Sequence, residues 1–490
     1  MAKRCIKNIG LFLLISTCVL GVFSMFSPLY EFNQWSDMNI YRTIGKAIVY
    51  GDKVLYKDIF DQKGLIIFLL YGSLDIFMKP RAIGIFLIEI LFNSIFLYYG
   101  YKSVRLFSDR INLIEVFIAD VIICGSKIFV NGGAVEELIL CFIAYALYLF
   151  LEYIIVKRPK DENVSLKSLF VLGIMFGLIF WTKFNILFCF AGIVLSWIFD
   201  YIFRKQYIEI AKSLAVSFIG FLMVSVPCLF YFFINHAISD MIDSYFIFNI
   251  FMYGNPQEKQ TIIIKLFAIV FGVPFIFILT LLGMRYIIKM VSNNRVFVIY
   301  NVMVFLCIFG YSLMGNIMLY YLLPMCVYII FAIHFFVEEL EKNEKIGKYK
   351  KMITIGGSAA VILLSIFSSD SLKYISKNNN NYAPAKFANI IKQTKDHSTL
   401  NFFILDSGVH VLLDEVPTQK YYFKINNAPD DLIAEQIDYM KNGEVQFVIT
   451  NSIGKDYIEK NCKNYKIIES YVNYDNKATP VNYYLFCKDK

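Results

Sequence analysis

The sequence predicts a mainly α-helical membrane protein: a polytopic bundle of about eleven spans followed by a small α/β domain. Three observations lead there. The 490 residues are 58% apolar with a mean hydropathy of +0.57, whereas soluble chains are less apolar and more charged. Apolar runs of about 18 to 25 residues recur, each long enough to cross a bilayer as a helix. Past residue 383 the pattern changes to short strand-like runs alternating with helical stretches.

The expected spans are 9–26, 82–100, 111–127, 135–156, 166–183, 186–203, 211–234, 262–283, 296–313, 319–338 and 352–368. The first follows Lys3, Arg4 and Lys7 and has no small-residue cleavage site behind it, so it reads as a retained signal anchor. The stretch 65–78, "LIIFLLYGSLDIFM", is apolar but short, and reads as an interfacial or re-entrant helix. The bases set the orientation. Lys102, Arg105 and Arg110, then Lys157, Arg158 and Lys160, then Arg204 and Lys205, then Arg285, Lys289 and Arg295, and finally "EKNEKIGKYKK" all fall on one face of this threading. That face is the cytoplasm by the positive-inside rule, with the N-terminus on it. The formal net charge of +8 is explained by these span ends and is no sign of nucleic-acid binding.

The same threading places the loop 27–81 and the chain after the last span outside the cell. The expected domains are a transmembrane part, 1–370, a linker, 371–383, containing "SKNNNN", and a soluble part, 384–490. In the last, "NFFIL", "VQFVIT", "YKIIESYV" and "NYYLFCK" read as strands, and "PAKFANIIKQTK" and "DDLIAEQIDYM" as helices. Cys462 and Cys487 lie in this outer domain, as a disulfide or as two free thiols.

One long polar stretch interrupts the apolar first half: "WSDMNIYRTIGKAIVYGDKVLYKDIFDQKG", residues 35–64. Ser36 is a plausible N-cap, and Ile40, Tyr41, Ile44, Ala47 and Ile48 recur at helical spacing, with Arg42, Thr43 and Lys46 opposite. This predicts a helix along the outer membrane surface, ended by Gly51, with Asp37 in its first turn. An acid there caps the helix dipole, or acts as a base or metal ligand toward a lipid-borne substrate.

The pattern W-S-D-x-N-x-Y, then G-K-A-I, then Y-K-D-x-F-D-Q-K-G, resembles the first outer loop of the GT-C glycosyltransferases. It is most similar to the family-39-like members, mannosyl or aminoarabinosyl transferases that use polyprenyl-phosphate sugars. In them the loop opens with an acid pair and closes on a Lys-Pro-Pro or Lys-Gly-Pro step. Asp37 matches the first acid and Lys63-Gly64 the closing step; Met38 and Leu65 depart from the pattern. "NGGAVEELIL" (131–140) resembles the second outer loop, with Glu136, then Glu137, as the second acid.

The resemblance implies transfer of a sugar from a polyprenyl-phosphate donor at the outer face of the membrane. Asp37 would be the general base or acceptor-positioning acid, with Glu136 the second catalytic acid. Arg42, Lys63 and Lys183 are candidates for the donor phosphate, and Asp58, Asp61, Glu137, Tyr245, Asn249 and Tyr320 for the substrate. Lys183 alternatively snorkels to the interface, and Tyr245, Asn249 and Tyr253 alternatively form an aromatic belt. A divalent cation, Mg²⁺ or Mn²⁺, held by Asp37 and Glu136 is the competing way to neutralise the leaving phosphate.

The acceptor, a glycan, lipid or protein, is not legible. The Ile-, Lys-, Asn- and Phe-rich composition points to an AT-rich bacterial genome, hence a bacterial cytoplasmic membrane. Two other readings compete: a flippase or transporter of lipid-linked polysaccharide, and a non-catalytic cell-envelope scaffold. Charges gathered at the outer surface rather than at mid-membrane favour surface chemistry. The orientation is checked by cysteine labelling: a cysteine placed near 50 should react with an impermeant maleimide on intact cells, and one near 345 only after permeabilisation.

Overall fold

The computed structural model describes residues 2–75, 82–252, 261–315, 318–342, 350–375, 382–425, 430–473 and 481–489. Its first nine long helices are α1 (Ala2–Phe23), α2 (Ser36–Tyr50), α3 (Leu65–Asp75), α4 (Ile83–Arg105), α5 (Leu113–Cys124), α6 (Val135–Glu152), α7 (Leu166–Lys183), α8 (Phe188–Phe203) and α9 (Tyr207–Ile234). The chain divides into two compact units. One comprises Met1–Ser27, Phe86–Pro227 and Lys259–Leu372, and the other Pro28–Ile85, Cys228–Glu258 and Lys373–Lys490. The outer loop and the C-terminal segment therefore belong to one unit, although about 300 residues of sequence separate them.

Among the described residues, seven helical segments are long and apolar enough to cross a membrane: Ile83–Arg105, Val135–Lys160, Leu166–Phe203, Tyr207–Ile234, Pro274–Val291, Arg295–Ser312 and Leu319–Lys342. The third is 38 residues long, about 57 Å of helix, too much for one crossing of a core about 30 Å thick. It is interrupted at the 3₁₀ turn Phe184–Leu187, where Lys183 takes an extended backbone (φ −159°, ψ 88°). This break separates the expected spans 166–183 and 186–203. Shorter apolar helices cover Ile9–Phe23, Leu65–Asp75, Ile262–Gly272 and Gly356–Ser368, and α5 has 12 residues.

The expected span 262–283 is corrected. It is two helices, Ile262–Gly272 and Pro274–Val291, parted at Val273 (φ −139°, ψ 55°). Pro274 supplies no N–H and disfavours a helical backbone in the residue before it, so the first helix stops there.

In the second unit, α2 and α3 cross at Gly45 and Gly72. A Cβ on Gly72 would lie 2.2 Å from the Gly45 carbonyl oxygen, and one on Gly45 2.5 Å from the Gly72 nitrogen. The backbones themselves touch. Around the crossing Tyr41 packs edge-on against Tyr71 and Phe68, and the Tyr71 hydroxyl donates to the Met38 sulfur at 3.3 Å.

Two expectations for α2 are corrected. Trp35, not Ser36, holds the N-cap position. The expected polar face is not in water either: Arg42 and Thr43 are buried, because α3 covers one side and the segment around Asp414 another. Gly51 ends the helix as expected, its N–H donating to Ala47. Lys46 pairs with Asp414 at 2.6 Å, Lys53 donates to the Thr418 carbonyl at 2.9 Å, and Phe60 N–H donates to that of Lys420 at 3.1 Å. These bonds stitch the outer loop to the C-terminal domain.

That domain is a four-stranded sheet ordered β1-β2-β4-β3, with β1 (Thr399–Phe402), β2 (Phe447–Thr450), β3 (Tyr465–Asn473) and β4 (Val481–Lys488). β1 and β2 are parallel; β4 is antiparallel to both β2 and β3. The period-two alternation feeds two cores. Phe447 and Ile449 face the helix Ala383–Ile391, while Val448 joins Met440 and Ile458 on the other side. Three of the four expected strands form where read, while the one expected over 401–405 lies at Thr399–Phe402 because the chain turns at Phe403 (φ 57°); helices Ala383–Ile391 and Asp430–Lys441 lie near the expected places. The helix Ser452–Asn461 was not anticipated; Asn451 caps it, accepting from the Gly454 N–H. Cys462 and Cys487 are free thiols. Of the linker 371–383, residues 376–381 lie outside the described residues.

The glycine crossing makes a direct test. Gly72→Ala should lower the melting temperature in detergent by a loss of at least about 1–3 kcal/mol from overpacking, while Gly10→Ala, where nothing lies within 4 Å, should not.

Candidate functional site

The predicted loop residues gather in the second unit. Asp37 stands in the first turn of α2, half-buried. Asp61 is buried in the polar turn before α3, where its carboxylate accepts from the Lys63 N–H at 2.7 Å. Burial pushes the Asp61 carboxyl up to about 6; the Lys63 charge and N–H oppose this and the Asp37 charge adds to it. Asp37, Asp61 and Lys63 thus share one electrostatic neighbourhood.

This turn is held by aromatic packing. Tyr56, in a left-handed backbone (φ 69°), donates its hydroxyl to the Lys63 carbonyl at 2.5 Å and stacks between Phe232 and Tyr245. Asn249 donates to the Gln62 carbonyl at 2.7 Å. Tyr245 and Asn249 lie on the π-helix Ile242–Met252, and Tyr245 is buried, so it forms no interfacial belt. Tyr253 lies outside the described residues. Both described residues brace the 61–63 turn from behind.

Two other loop candidates are engaged structurally. Arg42 forms a buried ion pair with Asp75 at 2.7 Å, donating through Nε and a terminal nitrogen, so those donors are committed to α3. Asp58 closes its own turn, accepting from the Val54 N–H at 2.9 Å. Sequence reasoning passed over Asp75, although an acid within an apolar run is costly unless paired, and that cost was the available signal. Met38, which departs from the acid pair of the resembled loop, is fully buried against Tyr71. A carboxylate in its place would be buried in this helix contact.

The remaining candidates gather in the first unit. Glu136, in the first turn of α6, is buried and accepts from Lys183 at 2.5 Å and from the Tyr311 hydroxyl at 2.6 Å. Lys183 is only 8% exposed and does not snorkel. The helix break at Lys183 turns its ammonium onto Glu136 and over the Tyr321 ring, 4.0 Å from the centroid, with Tyr320 at 5.7 Å. Tyr311 ends the helix Arg295–Ser312 and gave no signal in the sequence beyond being one more aromatic. Glu137 turns the other way and accepts from the Gly133 N–H at 2.7 Å, so it holds the loop that feeds α6.

Among the described residues no group of three or more His, Cys, Asp or Glu is arranged to ligate a metal. One Glu136 oxygen already serves Lys183 and Tyr311, and an adjacent ammonium opposes a cation. What the two groups do offer is a half-buried carboxylate with a lysine close by in sequence, and a neutralised buried pair.

Comparisons agree with the fold. Residues 65–231 match the family model described as dolichyl-phosphate-mannose-protein mannosyltransferase. The structure of ArnT from Cupriavidus metallidurans bound to undecaprenyl phosphate matches with a TM-score of 0.58 at 11% identity, over 99% of this chain and 98% of that one. The apo structure of the same protein matches at 0.57, with the same identity and coverage. No curated protein sequence matches. The chain thus shares the fold of ArnT, with several helices long and apolar enough to cross a membrane and a small strand-containing domain at its C-terminus.

Two outcomes follow for stability. Lys183→Met leaves Glu136 buried with one donor and should cost about 3–5 kcal/mol; Lys183→Met combined with Glu136→Leu should recover much of it, read as melting temperatures in a double-mutant cycle. Between pH 3.8 and about 6 the folded chain keeps a proton on Asp61 that the unfolded chain has released. Stability should therefore fall as pH rises through that window. Asp61→Asn should remove that component, worth at most about 3 kcal/mol, and make the fall of melting temperature with pH less steep, the share from Asp406, likewise raised to about 6, remaining.

Proposed function

We propose that this protein is a membrane glycosyltransferase that moves a sugar from a polyprenyl-phosphate donor to an acceptor at the outer face of the bacterial cytoplasmic membrane. The observation that carries the reading is the end-to-end fold match to ArnT bound to undecaprenyl phosphate, in a chain whose outer loop sets Asp37 in the electrostatic neighbourhood of Asp61 and Lys63. The family-model match supports the same class of donor. In this reading the N-terminus is cytoplasmic and the C-terminal domain extracytoplasmic, as the distribution of bases implies.

Asp37 accepts the proton of the acceptor hydroxyl. The acceptor oxygen bonds to the anomeric carbon while the bond from that carbon to the phosphate oxygen breaks. The electron pair leaves with the polyprenyl phosphate. A base positioned this way contributes about 10²–10⁴ in rate. Lys63, at the foot of α3, meets the growing charge on the leaving phosphate. Asp61 sets the local field: above about pH 6 it is ionised and favours the Lys63 ammonium. Asn249, Tyr56 and Tyr245 hold the turn that carries both.

Glu136, Lys183 and Tyr311 act as a buried brace at the start of α6, with Tyr320 beside it. The structural roles of Arg42 and Asp58 support this division of labour between chemistry and scaffold.

Asp37→Asn should fold normally and reduce polyprenyl-phosphate release by at least about 10²-fold; near-normal turnover in purified protein would sink the base assignment. The same assay with EDTA should show little loss, and strong inhibition reversed by Mg²⁺ would return the metal to the mechanism.

A further inference from the structure

The second unit contains a cleft lined by none of the residues given a part in the transfer. It lies between the segment leading into α2 and the loops at one end of the C-terminal sheet, and has a volume of about 370 Å³. That is near the lower end of small-molecule sites, about 300–1,000 Å³. Its walls mix aromatic and polar groups: Phe32, Tyr382, Phe403 and Tyr483 with Gln34 and Ser407. Phe32 and Tyr382 are stacked, with centroids 5.5 Å apart and planes at 17°.

The walls are fixed by internal bonds. Asp406, buried at the base, accepts from the Gly408 N–H at 2.7 Å and the Tyr422 hydroxyl at 3.1 Å. Gly408 has φ 85°, and a Cβ there would meet the Phe32 ring at 2.6 Å; only glycine gives both the turn and the close approach. Asn451 donates to the Phe403 carbonyl at 3.2 Å while capping its helix. A site whose side chains are held in advance loses little entropy on binding.

We propose that this cleft binds a neutral saccharide, the acceptor glycan of the reaction. A pyranose ring has one face of C–H bonds and an edge of hydroxyls. The first suits aromatic rings; the second suits amide, hydroxyl and carboxylate groups such as Gln34, Ser407 and Asp406. Among the described residues no lysine or arginine lines the cleft, a lining that suits an uncharged ligand. Ser36 lines the cleft and Asp37 is the next residue, in the same first turn of α2. The proposal rests on the transferase reading for the word acceptor, but the binding itself does not.

The test is saturation-transfer NMR on the full-length protein in an amine-oxide detergent, which carries no sugar headgroup. The probes are methyl glycosides of glucose, galactose, mannose and N-acetylglucosamine, with inorganic phosphate as the counter-probe. At least one glycoside should give a signal, phosphate should not compete for it, and both Tyr483→Ala and Ser407→Trp, which fills the cleft, should weaken it at least about tenfold. Each variant is first checked for an unaltered melting temperature, and either one that folds suffices. If no glycoside binds, or if both folded variants bind as the parent does, the cleft is not a saccharide site. Phosphate displacing the sugar would also overturn it. Donor turnover is measured alongside: sugar binding without release of polyprenyl phosphate would count against the transferase reading and leave the site standing. With transfer established, the variants should raise the acceptor KM about tenfold or more, and an unchanged KM would overturn the acceptor assignment.

Discussion

The arrangement of the outer loop depends on two glycines. With Gly45 against Gly72, the backbones of α2 and α3 meet with no side chain between them. This contact brings Arg42 to Asp75 and Tyr41 to Tyr71 and Phe68. It also fixes the chain between the two helices, residues 51–64, as a short return path. Asp61 and Lys63 lie on that path, and Asp37 stands at the far end of α2. A larger residue at either glycine would separate the helices and loosen every one of these positions at once.

Buried charge is the second organising constraint, and each unit meets it differently. Glu136 has two donors, an ammonium and a phenol, on helices distant in sequence. Arg42 and Asp75 satisfy one another. Asp61 and Asp406 are less fully offset: burial outweighs the hydrogen bonds each accepts, and both carboxyls are raised to about 6. A carboxyl held in an unfavourable state is a common mark of a working site, since strain of this kind persists only where the surroundings enforce it. Asp37, the neighbour of Asp61, is half-buried in the first turn of α2.

Much of this was legible in the sequence where local rules suffice. Hydropathy gave the apolar segments, the strand pattern gave the sheet, and the polar stretch 35–64 gave the helix and its leading acid. Errors came where one residue overrides a pattern: Pro274 cuts an apparent span in two, and Trp35 takes the cap from Ser36. The polar side of α2 was misread because periodicity reports that one face is buried, not that a second element covers the other. Met38 seemed a missing acid in the sequence and is a packing residue in the fold.

The sequence alone determined the elements: helices, strands, the caps and breaks set by glycine and proline, and the acids and bases available for chemistry. These follow from propensities and periods that act over a few residues. Tertiary structure alone decided which of those groups find their partners inside the protein. Lys183 and Arg42 read alike as phosphate ligands, yet both proved to be paired inside the protein. Tyr311 and Asp75 became partners only because helices far apart in sequence pack together. Desolvation makes the difference: a charge withdrawn from water must find its partner wherever packing supplies one, and no local pattern says where that is.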